Sequence, residues 1–262
     1  KGIIEVQSGV ILDKINKNII PKGFILDCSP GCKYVSVGGM ISNNISGKLS
    51  KKNTISSKVI SIKILDKHFK IKECTKKKNK NIFHLAIGGK GRVGPILSAV
   101  LKLKKLNSDK IFQTSYYFEN YQGFTNKIKH INSNDYCVVW INFLKENFSG
   151  IYFCGNHVVS KGVLKYKNND IKLPSIVLFI LSYIVNNKTF SLFFNFLFEK
   201  LNLLSKKKTM HLIDYFFPQN KIINWNKVFK KEGFIQFHFF FDKRNMKKII
   251  YIIKKTFIEN KI

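Results

Sequence analysis

The stretch Val35-Ser36-Val37-Gly38-Gly39-Met40-Ile41-Ser42-Asn43-Asn44-Ile45-Ser46-Gly47, the first glycine segment (35–47), decides the fold. It is dense in Gly, Ser and Asn, and it carries no charge in a chain that is otherwise rich in lysine. The second glycine segment (88–95), Gly88-Gly89-Lys90-Gly91-Arg92-Val93-Gly94-Pro95, places four glycines within seven residues. Glycine permits positive φ and lets the backbone approach a ligand without an intervening Cβ. Both segments therefore suit a cofactor that has a pyrophosphate or a flat ring.

Neither glycine segment matches the common nucleotide-binding motifs. A Walker A motif needs Gly-Lys-Ser/Thr at the start of a helix, and a Rossmann fingerprint needs G-x-G-x-x-G after the first strand. The sequence thus disfavours a conventional NTPase or a nicotinamide-binding domain. Glycines also serve tight turns in β-rich domains, so Ser46-Gly47 is alternatively an ordinary turn.

Strand and helix patterns alternate around the two glycine segments. Apolar spacing predicts strands at 3–6, 24–26, 59–65 and 96–103 and a helix at 11–19 that ends before Pro21. In a hairpin that begins at Val59, we expect Ile60, Ile62 and Ile64 to share one face. Phe69 and Ile71 should continue this alternation after a turn. Residues 1–107 therefore predict one α+β domain.

The composition changes near residues 106–110, where we place the boundary to a second domain (108–262). Glycine becomes sparse and aromatic residues become frequent. Alternating patterns predict strands at 136–143 and 233–241, and helical spacing predicts a helix at 245–257. The apolar stretch 176–185 is about half of the ~20 residues that span a bilayer. It favours a core helix or a sticky cap helix, with interfacial membrane contact as the alternative.

The chain has 262 residues with 46 Lys and Arg against 15 Asp and Glu, a net charge of +31, and 45% of its residues are hydrophobic. That apolar fraction excludes a disordered basic tail, because its burial can offset the entropy lost on folding. Only Arg92 and Arg244 are arginines, although the planar Arg fork suits phosphate recognition. We interpret the charge as the codon bias of an AT-rich genome and expect no nucleic-acid partner. A basic nucleic-acid-binding protein is the rival hypothesis.

The cysteines and the lysine run Lys206-Lys207-Lys208 complete the residue-level picture. Five cysteines at irregular spacing argue against a secreted disulfide framework and favour reduced thiols in the cytoplasm. No second Cys/His pair stands at zinc-finger distance from Cys28 and Cys32, so we expect no metal site. We interpret the lysine run as a solvated face, which near a pocket would attract a substrate phosphate.

Taken together, the first hundred residues resemble the later part of the FAD-binding (PCMH-type) domain of vanillyl-alcohol-oxidase-type flavoproteins. The resemblance lies in an ordered series of motifs rather than in any one of them. They are Val6-Gln7-Ser8-Gly9-Val10, Pro30-Gly31, Val37-Gly38-Gly39-Met40-Ile41, Ser46-Gly47 and Gly88-Gly89-Lys90-Gly91-Arg92-Val93-Gly94. The implied fold is α+β: the C-terminal part of a PCMH-type domain followed by an α+β substrate (cap) domain with an antiparallel sheet.

The second half resembles the decaprenylphosphoryl-β-D-ribose 2′-oxidase family within that superfamily. The matching residues are Ser46-Gly47-Lys48, Tyr136-Cys137-Val138-Val139-Trp140, Asn224-Trp225-Asn226 and Gly233-Phe234-Ile235-Gln236-Phe237. In such enzymes FAD lies between the two domains and accepts a hydride from a sugar carbon. By position, the FAD contacts would be Pro30, Gly31, Cys32, Val35, Gly38, Gly39, Ser42, Asn43, Ile45, Ser46, Gly47, Gly94 and Ile96. The substrate face would take Phe216, Phe217, Gln236 and His238.

The chain departs from the family pattern at several places. Ser46 stands where the family has His before Gly-Lys, and the hairpin turn at 66–70 lacks the usual Gly. We expect the family's N-terminal pyrophosphate loop before Lys1 and its catalytic lysine after Ile262, so the chain reads as a fragment that binds FAD weakly. His238 is a substitute candidate for the catalytic base, and an ordinary strand histidine is the alternative.

The resemblance implies an FAD-dependent oxidoreductase that oxidises a secondary alcohol of a sugar. The expected substrate is a polyprenyl-phosphate-linked pentose in cell-wall (cell-envelope) biosynthesis, and a short-chain reductase is a candidate partner. A cytoplasmic location with peripheral membrane contact follows from these expectations. The alternatives are a sugar-1,4-lactone oxidase of the same superfamily and an inactive pseudo-enzyme.

Overall fold

Two antiparallel four-stranded sheets organise the computed structural model, which describes residues 2–48, 54–131, 133–143, 145, 148–159, 162–168, 170–185, 187–229 and 243–259. The strands are β1 (Ile3–Gln7), β2 (Phe24–Ile25), β3 (Val59–Leu65), β4 (Ile71–Thr75), β5 (Ile96–Lys102), β6 (Lys104–Lys105), β7 (Lys110–Phe118), β8 (Tyr136–Asn142), β9 (Ser149–His157) and β10 (Lys207–His211). The α-helices are α1 (Leu12–Ile19), α2 (Val37–Ser42), α3 (Lys80–Ala86), α4 (Tyr121–Ile131), α5 (Ser175–Val185), α6 (Lys188–Leu204), α7 (Leu212–Phe216) and α8 (Met246–Glu259). The predicted α+β class is confirmed.

The first sheet has the order β1-β5-β3-β4 and supports α1, α2 and α3. α1 buries Leu12, Ile15 and Ile19, the apolar stripe that its spacing predicts. A 3₁₀ turn containing Pro21 follows, and Gly23 closes it at φ +80°. The predicted strands and helix before residue 27 are therefore confirmed. They position the first glycine segment beside the β1 end of this sheet.

The hairpin of β3 and β4 forms as predicted, but its alternation does not hold. Ile62 and Ile64 are buried, whereas Ile60 is 40% exposed. The register of β3 against β5 shifts between Val59 and Ser61, and such a bulge turns the intervening side chain to the other face. Phe69 lies in the turn at φ +56° and is 84% exposed, so the alternation expected through Phe69 is also wrong.

The second sheet has the order β10-β7-β9-β8, and its two faces pack in different cores. On one face, Ile111 and Tyr136 join α7 and the helices of the first sheet in the larger core. On the other face, Phe118, Tyr152 and Cys154 pack against α4 and α8. The predicted strand at 136–143 and helix at 245–257 are confirmed as β8 and α8. The predicted strand at 233–241 lies outside the described residues, and the domain boundary at 106–110 stays a prediction.

α5 and α6 leave much of their apolar surface exposed. On α5, Leu178 and Ser182 are buried while Phe179 and Tyr183 are exposed, so the interpretation of 176–185 as a core helix is wrong. α6 is fastened to the second sheet by Glu199, which accepts from Asn142 Nδ2 at 3.1 Å and pairs with Lys145. Within the part of the chain that the structure describes, no helix alone has the length and hydropathy to cross a membrane. The pair 175–184 and 189–204 reaches that length and hydropathy only together, across a bend of 99°.

Candidate functional site

The two glycine segments lie against each other in the folded chain. Gly88 N donates to Ile41 O at 3.0 Å, and Lys90 N donates to Ser42 O at 2.9 Å. The second glycine segment therefore closes on the C-terminal end of α2, the helix that the first segment forms. The two segments that suit a cofactor by composition are therefore neighbours in the folded chain.

The first turn of α2 packs on the corner between β1 and α1. Val37 N donates to Val10 O at 3.0 Å and Gly38 N donates to Ser8 O at 2.8 Å, while Gly39 N donates to Ser36 Oγ at 3.2 Å. A Cβ on Gly38 would lie 3.1 Å from Ser8 Cβ. Because these N–H groups already have acceptors inside the protein, any contact of α2 with a cofactor uses close approach of its bare backbone.

The Pro30-Gly31 loop and the Ser46-Gly47 loop are also neighbours. A Cβ on Gly47 would lie 2.7 Å from Ser29 O and 2.8 Å from Ser29 N, closer than real contacts allow. The Cys28 thiol donates to Ile45 O at 3.3 Å on the same side. Glycine at position 47 is thus required by the packing of one loop on the other.

Gly31 and Gly39 test whether this region fits a flat cofactor. No heavy atom lies within 4 Å of a Cβ built on Gly31, and the backbone there has no left-handed φ. Near Gly39, only the Ser36 Oγ comes close to such a Cβ, at 3.1 Å. The space beside Gly31 is therefore open, whereas at Gly39 the N-cap side chain of Ser36 leaves little room for a Cβ. The residues present fit a cofactor that lies against the bare backbone.

The remaining predicted cofactor residues lie around these loops with partners inside the protein. Asn43 is exposed and donates to Gly39 O at 2.9 Å, and Ser46 pairs with Thr54 in an isolated bridge. The Val35 carbonyl accepts from Leu12 N. Gly94, at φ +132°, and Ile96 lie at the start of β5, where a Cβ on Gly94 would be 2.2 Å from Leu65 O. Their roles toward a cofactor stay predictions.

The second sheet's α7 and the 3₁₀ turn after it reach both loops of the first glycine region. Asn220 Oδ1 accepts from Lys33 N at 2.9 Å, and its Nδ2 approaches Cys32 Sγ at 3.7 Å. Lys48 Nζ donates to Tyr215 O at 2.6 Å. Two segments that are about 170 residues apart in the sequence thus meet at the candidate site.

The predicted substrate residues fall into two groups. Phe216 and Phe217 are buried in the larger core, where the Phe216 ring meets the Tyr136 ring edge-on at 4.8 Å. Both rings are therefore part of the core beneath this region and are not exposed on its surface. Their contact with substrate stays a prediction. Gln236 and His238 lie outside the described residues.

Two lysines at the site, the buried Lys33 and the half-buried Lys48, were not among the predicted site residues. Burial lowers the pKa of Lys48 to about 8. Lys33 is 1% exposed and pairs with Asp170 at 2.6 Å. The residue type gave no signal for either, since lysine is abundant throughout the chain. Lys48 was named only as the last residue of the Ser46-Gly47-Lys48 match to the family pattern.

A cavity of about 290 Å³ lies between β7 and the end of α6, and its lining residues are different from those of the glycine loops. It is lined by residues that include Lys127, Lys206, Tyr116 and Asn202. Lys127 Nζ donates to the Tyr117 carbonyl and lies over the Tyr116 ring. Burial and the charge of Lys206 lower the pKa of Lys127, and no carboxylate in the described ranges forms an ion pair with either lysine. The cavity is therefore electropositive.

Comparison with known proteins supports the interpretation of the glycine segments as part of a cofactor site. Residues 1–75 match the family model described as FAD binding domain. The decaprenylphosphoryl-beta-D-ribose oxidase of Mycolicibacterium smegmatis is 22% identical over an alignment that covers 90% of this chain and 54% of that protein. The chain thus spans about half the length of the curated relative that it matches. Both findings indicate FAD as the cofactor.

Proposed function

We propose that this protein is an FAD-dependent oxidoreductase that oxidises a secondary alcohol of a sugar. The observation that carries the proposal is the packing of the second glycine segment on the first, with open space beside Gly31. Gly31 and the first glycine segment lie within residues 1–75, which match the FAD-binding family model. Fold alone does not give function, so the proposal rests on this local arrangement. The sugar chemistry is suggested by the name of the relative.

The residues of this chain have distinct parts in the proposed site. Gly31 admits the cofactor, and Gly47 holds the Pro30-Gly31 loop against the Ser46-Gly47 loop. Lys48 ties the second loop to α7 through the Tyr215 carbonyl. FAD, when bound, supplies the acceptor for the hydride that leaves the sugar carbon. The keto-sugar product suits a short-chain reductase as the proposed partner.

A titration with FAD tests the cofactor site. Gly31→Ala adds a methyl group into the open space, so the fold should be kept while FAD binding weakens about tenfold or more. Gly9→Ala is the matched control, because Gly9 also has free space around a Cβ and no left-handed φ, yet it is not a predicted contact. Flavin fluorescence gives the dissociation constants, and circular dichroism checks the fold. Equal affinities in the two variants would contradict the site.

The substrate class that we propose is a polyprenyl-phosphate-linked pentose. The cavity between β7 and α6 is lined by Lys127 and Lys206, with which no carboxylate among the described residues forms an ion pair, and it lies beside the exposed apolar face of α6. A phosphate suits the two ammonium groups, and a prenyl chain suits the apolar helix. An aldonolactone, the substrate of the alternative sugar-1,4-lactone oxidase, has neither group.

Flavin bleaching under anaerobic conditions separates the candidate reactions. A prenylphosphoryl pentose should bleach the FAD of the loaded chain, whereas an aldonolactone should leave it oxidised. Lys206→Glu should raise the concentration of prenylphosphoryl pentose needed for half-maximal bleaching several-fold, and Lys67→Glu, a change of the same charge on the β3–β4 turn, should not. Bleaching by the lactone alone would favour the lactone oxidase. FAD binding without bleaching by either compound would favour the pseudo-enzyme.

We also propose a location at the cytoplasmic membrane surface through the exposed face of α5 and α6. On this face, Phe179 is 65% exposed, Phe193 59% and Leu204 85%, and the exposed lysines 206–208 follow directly. An apolar helix face beside lysines suits an anionic membrane surface.

Sedimentation with phosphatidylglycerol vesicles tests this contact. The double variant Phe179→Ser/Phe193→Ser should lose binding. Phe69→Ser, a change of a still more exposed phenylalanine on the β3–β4 hairpin, should keep it. Equal sedimentation of both variants would contradict the membrane face.

A further inference from the structure

Cys137 and Cys154 face each other directly across β8 and β9. They are register partners in the antiparallel pair, and their Sγ atoms lie 3.2 Å apart. Both are free thiols in the structure. Neither belongs to the glycine loops or to the cavity beside α6. The proposed redox function makes no use of this pair.

The backbone geometry permits a bond between the two sulfurs. Cys137 N donates to Lys48 O at 2.9 Å, so it points away from β9. Cys137 and Cys154 are therefore a non-hydrogen-bonded pair, in which Cα atoms are about 4.5 Å apart. Disulfides accept Cα separations of roughly 4.4–6.8 Å. A disulfide between these strands consequently requires only small side-chain rotations.

We propose that Cys137 and Cys154 form a thiol–disulfide modification site that takes a small dialkyl disulfide, such as oxidised glutathione, as its oxidant. A thiolate of the pair attacks one sulfur of the oxidant, forms a mixed disulfide and releases one reduced thiol. The second cysteine loses its proton and displaces the other thiol. The pair gives up two electrons and two protons, and the oxidant becomes two thiols.

The local environment supports the first step. The two sulfurs share a hydrogen bond in which either can be the donor. When Cys137 donates, the bond lowers the pKa of Cys154 and raises that of Cys137. Because one thiol donates a hydrogen bond to the other sulfur, a thiolate forms more easily in the pair than at a lone buried cysteine. Cys28, by contrast, is buried beside Asp27, and its pKa is raised to about 12. Cys137 is half-buried on the edge strand of the sheet, where a small reagent can reach it.

A disulfide between Cys137 and Cys154 would act at the β8 edge of the second sheet, where β8 contacts the Lys48 loop. Cys137 N holds the backbone of Lys48, and Lys48 Nζ holds α7. A disulfide at 137–154 would therefore fix β8 against β9 at the point that carries the Ser46-Gly47-Lys48 loop. The inference does not depend on FAD binding or on sugar oxidation.

Peptide mapping of the full chain in glutathione redox buffers tests the proposal. After alkylation and tryptic digestion, peptides 130–145 and 146–161 each contain one cysteine and separate unless they are linked. We expect the linked pair to appear as oxidised glutathione increases, with a loss of two hydrogens from the chain mass. Dithiothreitol should reverse it.

Variants and a denatured sample provide the controls. Cys137→Ser and Cys154→Ser should abolish the linked pair, and Cys74→Ser should keep it. The same chain in urea should give mixed links among all five cysteines. Absence of the 130–145/146–161 link in the folded wild-type chain at every glutathione ratio would overturn the proposal. So would a mixed disulfide with glutathione that persists at Cys137.

Discussion

Phe69 holds the turn between β3 and β4 in a conformation that glycine adopts more easily. Its φ is +56°, and its side chain is 84% exposed, so it makes little packing contribution that offsets the strain. Asp66 Oδ1 stabilises the same turn by accepting from His68 N and Lys70 N. The resemblance indicated a missing glycine at 66–70, and the structure places the left-handed residue within that range.

Phe69→Gly should therefore raise the free energy of unfolding by about 0.5–1 kcal/mol, because relief of the left-handed strain exceeds the added entropy of the unfolded chain. Urea unfolding of the chain measures the change. Phe69→Ala is the control, since it removes the ring and keeps the strain. An alanine variant as stable as the glycine variant would show that strain is not the reason.

Lys48 should make the stability depend on pH in the alkaline range. Burial lowers its pKa from 10.5 to about 8 in the folded chain. Between these values the unfolded chain keeps a proton that the folded chain loses, so the free energy of unfolding rises with pH. The destabilisation is fully present below pH 8, and up to about 3 kcal/mol of it is relieved toward pH 10.5.

Urea unfolding of the wild type and Lys48→Met from pH 7 to pH 10 measures this relief. The stability difference between the two chains should shift in favour of the wild type across that range. Lys127 and Lys208, whose pKa values are also lowered by burial, are present in both chains and cancel. Parallel curves would mean that Lys48 is not titrating.

Which lysines are buried could not be predicted from the sequence. Lys33 is buried because Asp170, Asn168 and Asp13 surround its ammonium group, and the first two are more than 130 residues away. Charge patterns along a chain show only local partners. The glycine loops were predictable because the residue type itself marks a bare backbone, although the contact that requires it at Gly94 comes from Leu65 O, which is distant in the sequence.

At the scale of elements, the segment after β9 is held to α1 and the Cys32 loop by polar contacts. Asp170 accepts from Lys33 Nζ at 2.6 Å and from Tyr34 OH at 3.1 Å, and the Tyr166 hydroxyl donates to Asp13. Residues 162–168 contain no helix or strand. These polar contacts, rather than a helix or a strand, therefore fix the position of this segment.

Asp170→Ala should lower the free energy of unfolding by about 2–4 kcal/mol, because the buried Lys33 charge then keeps only the neutral Asn168 at 2.7 Å and the more distant Asp13 at 3.9 Å among its described partners. Urea unfolding at neutral pH measures the loss. The double variant Lys33→Met/Asp170→Ala should be more stable than Asp170→Ala alone, since the buried charge is gone. Additive losses in the double variant would contradict the pairing.

Element boundaries were predicted better than element faces. β3 and α1 lie where their spacing placed them, because periodicity along ten residues is a local property. The face of Ile60 was wrong because a bulge against β5 is decided by pairing with a strand about 40 residues away. The exposure of α5 likewise depends on which elements pack against it, and the sequence of α5 does not show which elements these are.

At the scale of the whole molecule, the charge of +31 acts on the folded chain as self-repulsion. The described ion pairs engage only some of the 46 Lys and Arg residues. Salt screens this repulsion over about 10 Å at 0.1 M. Because like charges are closer together in the folded chain, screening lowers the free energy of the folded state more than that of the unfolded state.

Raising KCl from 20 to 500 mM should therefore increase the free energy of unfolding by roughly 1 kcal/mol or more. Urea unfolding at each concentration measures it, and sucrose at equal osmolarity is the control. A fall in stability with KCl would mean that attractive pairs outweigh repulsion. Duplex DNA binding that weakens steeply with KCl, without flavin binding, would instead favour the nucleic-acid hypothesis.

The two edge strands of the second sheet, β10 and β8, affect the solubility of the chain. An open strand edge is a template on which another chain can add a strand and begin a fibre. β8 has part of its outer edge occupied by the Lys48 carbonyl, and β10 carries exposed Lys207 and Lys208. These lysines thus place like charges where two sheets would otherwise join, and this repulsion opposes fibrillar aggregation of an aromatic-rich chain.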